Sequence, residues 1–143
     1  MTEEEHEETG TTGDVTVSAE ITDDLTEFSK LFGHKQAKGE AARFAMAIGI
    51  INGKRVEKDN WKKPKGKKTT NLAKYAAFQG DYNLEILFDT LELKVEGVPM
   101  NILVAEYIVG GMKWIVENDM LEGKNFSEMK NQMPDLFPQQ DSE

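Results

Sequence analysis

The chain has 143 residues, with 26 Asp or Glu, 17 Lys or Arg, no Cys and a formal net charge of -9; its mean hydropathy is -0.55. This length holds one ordinary domain with tails but not a two-domain enzyme, and no apolar run approaches the roughly 18 residues that a membrane span needs. The lack of cysteine removes disulfides, thiolate nucleophiles and Cys-based zinc sites, and the acidic stretch Met1 to Thr9 lacks the basic and apolar parts of a secretory signal, so a cytoplasmic setting is expected.

Met1 to Gly13 reads as a disordered acidic tail, with five carboxylates and no Lys or Arg. From Asp14 the pattern alternates. Val15, Val17, Ala19 and Ile21 face one way and Thr16, Ser18 and Glu20 the other, which predicts a strand over 14–21 with one buried face. Thr22 is placed to N-cap a helix, with Asp23 and Asp24 in its first turn and Leu25, Phe28 and Phe32 on its apolar side before Gly33. A cation-rich turn, His34 to Gly39, leads to a second helix over 40–51 striped by Ala41, Phe44, Ala45, Ile48 and Ile51. Its many small residues admit another helix closely, which suits the centre of the core or of a dimer.

Lys54 to Lys68 carries eight Lys or Arg in fifteen residues, together with Trp61, Pro64 and Gly66, and shows no period, so an exposed, mobile loop is expected. Thr69 or Thr70 would cap a third helix through Gln79, with Leu72, Tyr75 and Ala76 inward. Leu84, Leu87, Phe88, Leu91 and Val95 predict a fourth helix ending by Gly97, and Pro99 opens a fifth that runs to about Asn118. Gly110 and Gly111 inside that helix cost about 1 kcal/mol each, which implies a kink or the close approach of another helix. Gly123 to Glu143 is an acidic arm. Its Phe126, Met129, Met133, Leu136 and Phe137 either dock on the domain, the favoured reading, or bind a partner.

The net charge hides three blocks: ten acids and no Lys or Arg over 1–29, thirteen Lys or Arg against three acids over 30–80, and four Lys against thirteen acids over 81–143. A basic middle between acidic ends marks either a polyanion-binding surface or a solvated Lys-rich loop, and charge alone does not choose. Catalysis has little to stand on. His6 and His34 make no metal-ligand spacing and no nucleophile triad, and no P-loop spacing occurs, so neither catalytic residues, metal nor cofactor is expected.

Val15-Thr16-Val17-Ser18 followed by the run Ala37 to Ala45 resembles the ribbon-helix-helix family, which opens its second helix with a Ser/Thr-Lys/Arg-Ser-Glu-Ala pattern. That resemblance implies a strand-paired dimer reading DNA. A wider likeness, from Val15 to about Val116, is carried by TDDLTEFSK at Thr22 to Lys30, GEAARFAMAIGI at Gly39 to Ile50, the block from Thr69 to Asp81, and Ala105 to Gly110. These segments resemble the DndE proteins of DNA sulfur modification. The resemblance implies a compact helical oligomer that touches the DNA backbone within a DNA-modification or defence system and does not catalyse the chemistry itself.

The expected fold is therefore mainly α: a single helical domain over 14–122 with one short N-terminal strand, a ribbon-helix-helix-like start and three further helices. The expected function is non-catalytic DNA binding, duplex or nicked, by a homo-oligomer with no membrane partner. Lys35, Lys38 and Arg43 at the opening of the second helix would meet phosphates, extended by Lys54, Arg55, Lys58, Trp61, Lys62, Lys63, Lys65, Lys67 and Lys68. Each has a plainer role beside it: Trp61 packs back on its own domain instead of stacking on a base, and Arg43 pairs with Glu40. Trp114, Tyr107 and Phe88 read as core or interface. The alternatives are an adaptor whose basic loop docks an acidic partner and whose acidic tails prevent promiscuous nucleic-acid binding, or a ribbon-helix-helix transcriptional regulator; in any of these the acidic tails can also engage protein partners.

Overall fold

Alternation of Val15 and Val17 with Asp14 and Thr16 builds β1 (Asp14–Val17), with both valines fully buried. The computed structural model describes residues 13–32 and 37–122. The acidic tail up to Thr12, the turn containing Lys35 and the arm over 123–143 lie outside the described residues. Gly13, expected in the tail, belongs to the fold, since its carbonyl accepts the Tyr75 N–H at 2.9 Å. The strand is also shorter than the alternation suggests. The Ser18 hydroxyl accepts the Glu20 N–H at 3.1 Å and draws Ala19–Ile21 into a 3-10 turn, a local side-chain bond that competes with strand geometry.

Helix α1 (Thr22–Ser29) follows, with Ile21 and not Thr22 at the N-cap. Thr22 instead sits on the first turn, where its hydroxyl contacts the Lys68 carbonyl at 3.1 Å and the Thr70 hydroxyl at 2.9 Å. Phe28, Phe32 and Phe44 meet edge to face, with ring centroids 5.3, 5.9 and 5.6 Å apart, and lock α1 onto α2 (Ala37–Ile51).

The helix expected over 70–79 is mostly a strand. β2 (Thr70–Lys74) pairs antiparallel with β1, matching Asp14 to Lys74, Val15 to Ala73, Thr16 to Asn71 and Val17 to Thr70, with Leu72 bulged between. Only Tyr75–Gln79 turns helical, as α3. An open strand edge outweighed the weak helical preference of Thr70 and Asn71. This pairing also gives β1 a partner within its own chain, where the ribbon-helix-helix likeness implies one from a second copy.

Helix α4 (Leu84–Thr90) starts at Asn83, whose side chain accepts the Ile86 N–H at 3.1 Å. It stops short of Val95. The Leu93 N–H reaches the Phe88 carbonyl at 2.8 Å and the Glu92 N–H the Asp89 carbonyl at 3.0 Å, a closure that puts Glu92 at φ 58.

Helix α5 (Met100–Glu117), with Pro99 at its N-cap, runs unbroken through Gly110 and Gly111 and is buried along most of its length. Close approach, not a kink, explains the glycines. A β-carbon on Gly111 would land on the Ala45 carbonyl oxygen, one on Gly110 on the Lys54 carbonyl, and one on Gly49 on the Tyr107 carbonyl. The small-residue face of α2, with Ala41, Ala42 and Ala45 fully buried, is thus the centre of this chain's core. It is not a face left open for a dimer. The result is a mainly α-helical domain with one two-stranded sheet, in which α5 packs against both α2 and β1.

Candidate nucleic-acid interface

The segment from Lys54 to Lys68 lacks regular structure apart from a 3-10 turn at Lys58–Asn60, yet it is anchored along its length. Glu106 on α5, only 3% exposed, accepts Arg55 Nε at 2.7 Å through one carboxylate oxygen and the Lys58 N–H at 2.8 Å through the other. Its backbone carbonyl takes the Val56 N–H at 3.2 Å. Further on, the indole N–H of Trp61 donates to the Val56 carbonyl at 2.9 Å.

Glu20 holds the next stretch, accepting the Lys62 N–H at 3.0 Å while its other oxygen meets Lys113 Nζ at 2.9 Å. Burial pushes the Glu20 carboxyl up, but the hydrogen bonds from Lys113 and the Lys62 N–H, with the charges of both lysines, outweigh it and hold the group below its ordinary value. Lys67 pairs with Asp23 at 2.6 Å and the Lys68 carbonyl with the Thr22 hydroxyl. The expected mobile loop is therefore an anchored one. Its restraints come from carboxylates and hydroxyls distant in sequence, which no local pattern announces.

These anchors divide the expected contact residues. Lys54, Lys58, Lys62, Lys63, Lys65, Lys67 and Lys68 are exposed, and among the described residues only Lys67 of these seven is ion-paired. Lys38 is half-buried near the start of α2, and Lys35 lies outside the described residues. Arg43 is half-buried: its guanidinium donates to the Phe78 carbonyl at 3.0 Å and lies 5.9 Å from the Phe78 ring centroid, which gives it a structural bond within the fold. Arg55 is likewise committed, to Glu106. Trp61 is half-buried against the core, as the plainer reading has it, though part of it remains open.

That open part lines a cleft of about 640 Å³ between the loop and β1. Lys58, Lys62, Lys63 and Asp59 come from the loop, and Thr16, Ser18, Ala19 and Thr69 from the strand side. Sequence reasoning missed Thr69 and the involvement of Thr16 and Ser18. Alternation turned Thr16 and Ser18 outward, but Ser18 is 1% exposed, with its hydroxyl 3.5 Å from the Lys62 carbonyl, and nothing in the sequence placed the lysines there. Three lysines, the Thr16 and Thr69 hydroxyls and the Trp61 ring make a surface suited to phosphate esters.

Among the described residues no cluster of three or more His, Cys, Asp or Glu is placed to hold a metal ion, and no helix is long and apolar enough to cross a membrane. Comparison of the chain with protein-family models, with curated proteins and with solved structures finds no match.

Proposed function

We propose that this is a non-catalytic DNA-binding protein that grips the phosphate backbone through its anchored basic loop, in the cytoplasm, as an accessory of a DNA-modification or defence system. The observation that carries the reading is the set of seven exposed lysines on a loop fixed by Glu20 and Glu106, six of them without an ion pair among the described residues. Lysines presented on a restrained backbone lose less loop entropy on binding than the same lysines on a free coil. The contact set favoured by the geometry is Lys54, Lys58, Lys62, Lys63, Lys65 and Lys68, with Arg43 and Arg55 as supports. The place in a modification or defence system rests on the DndE likeness alone.

Salt titration of duplex affinity tests the reading. With about six phosphates contacted, log K falls against log salt with a slope of roughly -5. Reversal of Lys63, Lys65 and Lys68 to Glu abolishes binding while leaving the melting temperature close to that of the parent, because these side chains are exposed and without an ion pair among the described residues. No binding at about 50 mM salt, or a flat salt dependence, rejects DNA as the ligand. Salt-sensitive capture of an acidic protein without DNA binding would favour the adaptor.

A further inference from the structure

The cleft beside the loop has properties that a flat cationic surface does not need. It is concave, and its volume of about 640 Å³ falls within the roughly 300–1,000 Å³ of sites that enclose a small ligand. Three lysines, Lys58, Lys62 and Lys63, line it together with the hydroxyl-bearing Thr16 and Thr69. Trp61 forms part of the wall, and the bond from its indole N–H to the Val56 carbonyl fixes how the ring stands.

A paired duplex presents phosphates on a convex ridge and keeps its base faces stacked inside. It can lay charge on the lysines but has no base face to give the indole. An unpaired strand offers both at once, and aromatic platforms beside cationic grooves are how such strands are held. Asp59 is informative too. A carboxylate in the same cleft can accept an N–H from the pairing edge of a base, a group that a duplex keeps engaged and an unpaired strand leaves free.

Resting on the DNA-binding reading, we infer that this cleft is a site for an unpaired DNA strand. One base stacks on Trp61, and the flanking phosphates are held by Lys58, Lys62 and Lys63.

The test uses the full chain with an oligodeoxythymidine of about ten nucleotides and a blunt duplex of the same strand length, at about 50 mM salt. The single strand binds more tightly than the duplex. Trp61→Leu weakens single-strand binding by roughly 5- to 150-fold, the loss of one stacking contact, whereas Trp61→Phe retains most of the affinity and the two variants bind the duplex alike. Both variants lose the bond to Val56 equally, so the difference between them reports stacking and not loop support. Equal affinities of the Phe and Leu variants for the single strand overturn the inference while leaving salt-dependent DNA binding in place. Failure of the unaltered protein to bind either DNA instead overturns the underlying reading. Should the variants not fold, fluorescence of Trp61 in a Trp114→Phe background decides. Quenching by the oligonucleotide supports the site, and unchanged emission at saturation refutes it.

Discussion

Glu106→Gln probes the anchor that fixes the basic loop to α5. The substitution preserves shape but exchanges one acceptor oxygen for a donating amide. Both oxygens are occupied, one by Arg55 Nε and the other by the Lys58 N–H, so in either orientation the new NH₂ faces another donor. One charge-assisted hydrogen bond is lost, about 1.5–3 kcal/mol. The guanidinium, its side chain 21% exposed, keeps only Glu57 at 4.0 Å, a largely solvated partner that compensates little. A loss of about 2–3 kcal/mol corresponds to a melting temperature lower by roughly 8–12 °C in a domain of this size. Thermal melts of Glu106→Gln, Arg55→Met and the double variant form a cycle. Arg55→Met alone strands a buried carboxylate and costs about 3 kcal/mol or more, so the pair couples by about 1.5 kcal/mol or more. Single-variant effects that add to within about 0.5 kcal/mol refute the claim that Arg55 and Glu106 act as a unit.

Gly111→Ala drives a β-carbon onto the Ala45 carbonyl, backbone against backbone, and costs about 3 kcal/mol or more in urea unfolding, whereas Gly39→Ala, with open space around it, stabilises α2 by roughly 0.5–1 kcal/mol. Tyr75 is pushed up to about 12, by burial first and then by the charge of Glu85. An unfolded tyrosine ionises near pH 10, so this contribution to stability is complete below about pH 10 and is lost as the pH rises toward 12. Tyr75→Phe flattens that alkaline limb in pH-dependent melts and costs less than about 1 kcal/mol at neutral pH, since the hydroxyl finds no hydrogen-bond partner among the described residues. Glu20, held low, contributes stability that is present above the ordinary carboxylate range and lost as the pH falls through its folded value. The deficit of Glu20→Gln relative to the parent therefore shrinks on acidification, and a deficit independent of pH disproves the assignment.

Periodicity carried the first strand as far as Val17, the helices α1, α2 and α5, and the glycine seam, because each is written in residues close together in the chain. β2 escaped it. Its partner lies 53 to 60 residues away, from Val17 with Thr70 to Asp14 with Lys74, and nothing within Thr70–Lys74 outweighs a helical reading until that edge is present. The basic loop was legible as charge and illegible as structure. One clue was available: Glu106 stands amid Leu103, Val104, Ala105, Tyr107 and Ile108, and a carboxylate in so apolar a run must find a cation or N–H donors. The sorting of cations follows the same physics. Both arginines in the expected contact set, with planar guanidinium groups suited to partly buried bonds, are spent inside the fold, and the well-hydrated lysines remain outside.

The clamp on the loop also has a timetable. Lys62 and Glu20 are 42 residues apart, and Arg55 and Glu106 are 51 apart with the carboxylate later in the chain. At roughly 5–20 residues per second, synthesis reaches Glu106 about 3–10 s after Arg55. In that interval Arg55 and the Lys58 N–H lack the Glu106 carboxylate that fixes both in the folded chain. A chain halted before Glu106 carries the charge of the basic loop without the bonds from α5 that give it its shape.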